Sequence, residues 1–107
     1  MSTKDERIKE ILKDLGARFL LLNTNGSSLL TVTKTELTSD RKRATIFFTV
    51  FPETYEKTAL EFAKRKRSDF KEFIKENSKL GRIPQMDFEI DSGEKNRQKI
   101  DNLLNQS

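Results

Sequence analysis

The sequence contains neither cysteine nor histidine. Without cysteine there is no disulfide, iron–sulfur cluster or thiol nucleophile, and without histidine the commonest general base and metal ligand is missing. Proline and glycine are scarce, with two and four residues in 107, and no low-complexity linker or internal repeat divides the chain. No apolar run approaches the roughly 20 residues needed to span a bilayer. The amino terminus, MSTKDERIKE, is too charged for a signal peptide. These absences remove most enzyme classes and leave the expectation of a cytoplasmic protein that is not an enzyme, has no cofactor or metal and does not meet a membrane.

What is present fits one small domain, residues 1–107, able to bury roughly two thirds of its unfolded surface. Hydrophobic residues make up 34% of the chain and charged residues 36%, a thin core under a heavily charged surface, with eight phenylalanines supplying much of that core. The net charge of +4 is modest, so its distribution carries more information than its size. From Lys64 to Arg82 eight cations face three acids, an excess of +5, whereas from Asp87 to Asp101 three cations face five acids, a balance of −2. The positive excess sits in the middle of the chain.

Ile8, Ile11, Leu12, Leu15, Phe19 and Leu22 recur at steps of three and four and predict an amphipathic helix from Lys4 to about Leu22, weakened locally by Gly16. Asn23 to Ser28 has turn chemistry, with Asn25-Gly26 suited to positive φ. Leu29–Leu37 and Ala44–Phe51 read as strands, and the polar link Thr38–Arg43 makes them an antiparallel hairpin. Ile46, Phe48 and Val50 share one face of the second strand. In the first strand Leu30 and Val32 have one parity and Thr35 and Leu37 the other, so a bulge near Thr33–Lys34 is expected to turn both pairs inward. Pro52 stops the second strand and Glu53 opens a helix. After Pro84, Met86, Phe88 and Ile90 alternate with Asp87, Glu89 and Asp91, predicting a strand with one packed face and one exposed acidic face to which no chemistry is assigned. Gly93–Leu104 is expected to form a terminal helix docked through Ile100, Leu103 and Leu104, with residues 1–5 and 105–107 frayed.

Between these parts lies Ala63–Pro84, AKRKRSDFKEFIKENSKLGRIP. Upstream, Tyr55, Ala59, Phe62 and Ala63 form one helical face; downstream, Phe70, Phe73, Ile74 and Asn77 form another. A continuous helix would turn Lys66 and Arg67 toward the core, where unpaired cations are costly. The spacing therefore predicts two helices meeting at a kink over Lys66, Arg67 and Ser68, with Ser68 capping the second helix, Asp69 on the positive end of its dipole and Gly81 ending it. The resulting α-β-β-α-kink-α-β order, with a three-stranded sheet and helices on one face, is an α+β domain.

That order is the one found in type II KH domains. Arg7-Ile8, Leu30-Thr31-Val32-Thr33, the Thr38-Ser39-Asp40 corner, Ala44, Ile83-Pro84-Gln85-Met86-Asp87-Phe88 and Asp91 narrow the likeness, and the chain resembles the bacterial ribosome-binding factor A family from about Arg7 to Leu104. The resemblance implies a non-enzymatic factor that binds the small (30S) ribosomal subunit and its precursor 16S rRNA in late maturation, with roles in 5′-end processing of the rRNA and in growth in the cold. KH domains clamp RNA with Gly-x-x-Gly, which is absent here. The family's Ala-x-Gly kink falls on Lys66-Arg67-Ser68, followed by Asp69 in place of an aromatic or apolar residue, and its Asp-x-Ser becomes Asp91-Ser92-Gly93.

Lys64, Arg65, Lys66 and Arg67 are accordingly expected to meet phosphates, which would give a slope of about four in log affinity against log salt. Lys71, Lys75 and Lys79 lie on one stripe and either join them, with Arg82, or pair with Glu72 and Glu76. Arg41, Lys42 and Arg43 are either further RNA contacts or a charged turn guarding the hairpin. Phe47 and Phe51, opposite the core face of their strand, are expected to cover the sheet before they stack on bases. The competing reading is a monomeric protein-interaction module with an acidic partner.

Overall fold

The computed structural model describes residues 3–24 and 26–104, although the side chains of Lys99 and Asn102 are not among the described parts. The first helix, α1 (Lys4–Asn23), starts where Thr3 accepts a hydrogen bond from the Glu6 amide at 3.1 Å, with Asp5 and Glu6 on the positive end of the dipole. Residues 1, 2 and 105–107 of the termini expected to fray lie outside the described residues, as does Asn25 of the Asn25-Gly26 turn. Gly26 does have positive φ.

Leu12, Leu15, Phe19 and Leu20 are buried, while Leu22 is 71% exposed. The expected face is thus displaced toward Leu20, and Gly16 accounts for the displacement. A Cβ at Gly16 would stand 3.2 Å from Ile46 Cγ2, so the helix backbone lies directly on the centre of the sheet, and Leu20, one turn on from Gly16, turns inward instead of Leu22.

The sheet has the order β1 (Leu29–Leu37), β2 (Arg43–Phe51), β3 (Gln85–Ile90), with β1 antiparallel and β3 parallel to β2. Val32 pairs with Phe48 and Lys34 with Phe47, leaving Thr33 as the surplus residue of a bulge. As expected, this turns Leu30, Val32, Thr35 and Leu37 inward and leaves Lys34 and Glu36 in water. The Thr35 hydroxyl is buried without a hydrogen-bond partner among the described residues.

After Pro52 the chain makes a 3-10 turn, Glu53–Tyr55, before α2 (Glu56–Arg65), so the helix starts later than Glu53. The next helix, α3 (Arg67–Asn77), ends at Ser78, whose hydroxyl donates to the Ile74 carbonyl at 2.8 Å. Gly81 lies in the connection beyond and does not cap it, because the serine has already satisfied the last turn. Helices α1, α2 and α3 cover the sheet face bearing Ile46, Phe48, Met86 and Phe88. Phe19, Phe70 and Phe88 form a continuous chain of rings with centroids 5.0 and 5.2 Å apart.

The terminal helix, α4 (Ser92–Leu104), forms but is not docked by its apolar residues: Ile100, Leu103 and Leu104 are 57%, 69% and 69% exposed. Its first turn holds it instead. Asp91 Oδ1 accepts from the Glu94 amide at 2.9 Å, and Lys95 Nζ reaches Glu53 at 2.7 Å and Glu56 at 3.2 Å. Phe51, expected to cover the sheet, is 72% exposed, because beyond the last pair with Leu29 no element follows over it. Phe47 is half-buried beneath the Lys34 ammonium, 4.8 Å from the ring centroid.

Candidate nucleic-acid interface

The kink is centred on Lys66, whose φ of −96° and ψ of 11° break the helix between α2 and α3. Its amide is shared between the Phe62 and Ala63 carbonyls at 3.2 and 3.1 Å, and its own carbonyl accepts from the Phe70 amide at 2.9 Å to restart the helix. Ala63 and Phe70 are both fully buried, and the break lets them be so without carrying the cations between them inward. No side-chain cap is made: Lys66 occupies the cap position and Ser68 lies within α3 as an exposed residue, which corrects the expected capping role of Ser68. The carbonyl left open by the break is that of Lys64, and Arg67 Nε donates to it at 2.9 Å.

The four consecutive cations have four different surroundings. Lys64 Nζ lies 3.0 Å from both Asp87 and Glu89 on β3. The Arg67 guanidinium is 3.3 Å from the same Asp87 carboxylate. Lys66 is 3.6 Å from Asp69 and 5.9 Å from the centroid of Phe62. Arg65 is exposed and makes no ion pair among the described residues. Burial by itself would lower the Lys64 ammonium, but the hydrogen bonds to Asp87 and Glu89 outweigh it and hold the group above the ordinary lysine value. Burial would likewise raise the Asp87 carboxyl, yet Lys64, the Phe88 amide and Arg67 hold it below the ordinary carboxylate value.

Asp87 and Glu89 are therefore the functional residues that reading the chain left without a role: they neutralise half of the basic run. Their signal was the acidic strand lying after a segment of +5, but alternation shows only which face a residue occupies, not what it meets. Asp91, read as exposed, is buried. Burial would raise its carboxyl, and the Glu94 amide, the Thr33 hydroxyl at 2.6 Å and Lys34 hold it below its usual value instead.

Of the remaining candidates, Lys71 and Lys75 lie on α3, with Lys75 3.4 Å from Glu72, whereas Lys79 falls beyond the end of the helix and leaves the expected stripe. Lys71, Lys79 and Arg82 are exposed with no ion pair among the described residues. In the hairpin, Arg41 has φ of 60° and its guanidinium pairs with Asp5 on α1, so it is engaged within the fold. Lys42 and Arg43 are exposed. The Lys42 carbonyl accepts from the Gln85 amide at 2.9 Å, which brings the hairpin to the same end of the sheet as the Arg82–Gln85 connection. No group of three His, Cys, Asp or Glu side chains with metal-binding geometry occurs among the described residues, and no described helix is long and apolar enough to cross a membrane.

On the other side of α2 a cavity of about 290 Å³ separates it from the end of α1 and the loop before β1. It is lined by Ala59, Phe62 and Arg65 of α2, by Tyr55 just before that helix, and by Asn23 and Ser28.

The family described as Ribosome-binding factor A matches residues 2–104. Among solved structures, the crystal structure of ribosome-binding factor A from Thermus thermophilus is similar at 21% identity with a TM-score of 0.70, covering 78% of this chain and 91% of that one. A Thermus thermophilus ribosome-binding factor A homology model, fitted into a cryo-electron microscopy map of a 30S complex, is similar at 22% identity and a TM-score of 0.65, covering 74% of this chain and 86% of that one. No curated protein matches the chain.

Proposed function

This chain belongs to the ribosome-binding factor A family, and from that membership we propose that it binds the small ribosomal subunit through 16S rRNA and assists its late maturation. In this reading it acts in the cytoplasm as a monomeric, single-domain, non-enzymatic factor, and its work includes maturation of the 16S 5′ end and growth in the cold. The observation that carries it is the family match across nearly the whole chain. Support comes from the exposed cations Lys71, Lys79 and Arg82, with Lys42 and Arg43 at the adjoining end of the sheet. Phosphate contacts of this kind position a protein on folded RNA, and the shape of the rRNA then supplies discrimination. A thermophile relative fitted into a 30S map is consistent with such docking.

The test is co-sedimentation with purified small subunits as salt is raised. Replacing Lys71, Lys79 and Arg82 together by glutamate should reduce subunit binding at least tenfold with the circular dichroism of the fold unchanged; undiminished co-sedimentation would remove these residues from the interface. Glutamates at Lys64 and Arg67 would face Asp87 and Glu89 and confound folding with binding, so these positions are left out. If the chain instead failed to associate with subunits and its interactions survived RNase, an acidic protein partner would be the better reading.

A further inference from the structure

We propose that the cavity between α2 and the loop before β1 holds one unpaired nucleotide of single-stranded RNA, with its base against Tyr55 and Phe62 and its phosphate on Arg65. The inference rests on the proposed RNA-binding function but assigns a site on the face of α2 turned away from Asp87 and Glu89. Its volume of about 290 Å³ falls just below the roughly 300–1,000 Å³ of small-ligand sites, room for one base and its sugar and too little for a duplex.

The lining matches the three parts of a nucleotide. Tyr55 and Phe62 stand two turns apart on the α2 side and offer aromatic surface, which stacks any base. Asn23, Ser28 and Thr58 bring side-chain amide and hydroxyl groups to the same cavity, suited to the edge of a splayed-out base. Asn23 already spends its amide nitrogen on the Phe19 carbonyl at 2.7 Å, so its oxygen is left to accept from a ligand. Arg65 is the member of the four-cation run without an ion pair among the described residues, and a guanidinium matches phosphate geometry better than an ammonium does. Of the acidic ligands that Arg65 could attract, only one with a flat aromatic face uses the α2 wall, which favours RNA over an acidic peptide.

The chain has one tyrosine and no tryptophan, so the Tyr55 ring gives a unique signal in a tyrosine-labelled NMR spectrum. Titration of the full chain with single-stranded hexauridylate should shift the Tyr55 ring resonances, uridine monophosphate should do so more weakly, and Arg65→Ala should weaken the hexauridylate affinity at least tenfold, with Arg65→Lys recovering part of it. Equal shifts with a uridine–adenine duplex or a hexaglutamate peptide, or an unchanged affinity in Arg65→Ala, would overturn the site. Co-sedimentation of the unaltered chain separates this inference from its parent: subunit binding with an unmoved Tyr55 sinks the cavity alone, whereas Tyr55 shifts without subunit binding sink the ribosomal reading and leave the cavity standing.

Discussion

Asp87 sits between two roles, since the carboxylate that steadies Lys64 and Arg67 also competes with any phosphate that approaches them. Its pKa is lowered, so protonation to free Arg67 and loosen Lys64 would occur only below the ordinary aspartate range near ~3.9. At neutral pH the pair is formed, and only substitution opens it. Asp87→Asn should therefore raise affinity for small subunits and steepen the salt dependence by about one unit, that of Arg67, because Glu89 still holds Lys64; co-sedimentation across a salt series measures both, and an unchanged or flatter slope would remove Arg67 from the interface. Asp91 is a different case, because its lowered pKa belongs to a structural bond. A carboxyl whose folded pKa lies below its unfolded one contributes stability that is complete above the unfolded value and lost as pH falls through the folded value. Asp91→Ala should cost about 1–2 kcal/mol in urea unfolding at neutral pH, through the lost cap and the lost bond from the Thr33 hydroxyl, which keeps only its longer bond to the Phe47 carbonyl, and should flatten the decline in stability below about pH 4.

At the scale of the elements, α1 makes its tight approach to β2 at Gly16. Ile46, which a Cβ there would press, is fully buried and hemmed in by the core, so it cannot move aside. Gly16→Val should lower stability by about 1–3 kcal/mol despite the better helix propensity of valine, as read from thermal or urea unfolding. The opposite holds for α4: changing Ile100, Leu103 and Leu104 each to Gln should leave the unfolding free energy within about 0.5 kcal/mol, because those side chains are already in water. The kink was legible in the chain because two adjacent cations fell where a continuous helix would bury them. Its details were not. The helix ends depended on which polar side chain reached an open carbonyl first, Arg67 at Lys64 and Ser78 at Ile74, and local pattern does not rank such competitors. The docking of α4 was misread for a related reason, since apolar spacing marks a face but does not supply a surface to receive it.

Over the whole molecule the two ends differ in character. Leu21, Leu22, Leu29, Phe51 and Tyr55, all exposed, gather where α1 ends, β1 begins and β2 ends. Lys42, Arg43 and Arg82 lie at the other end, where the hairpin meets the start of β3. The order of elements, the sheet and the family were readable from periodicity and a few residues in sequence, because each strand and helix is dictated by its own pattern. The candidate interface was readable only as a count of charge. Which cations of the Lys64–Arg67 run are paired within the fold was decided largely by β3, some twenty residues further along the chain. Thr33 shows what such long-range partners ask of the backbone. Were it deleted, Val32 would still point inward, Lys34 outward and Thr35 inward, in unbroken alternation, so a shorter β1 would serve the core equally well. The spare residue supplies reach instead: its hydroxyl bonds Asp91, so one side chain ties the first strand of the sheet directly to the residue that caps the last helix.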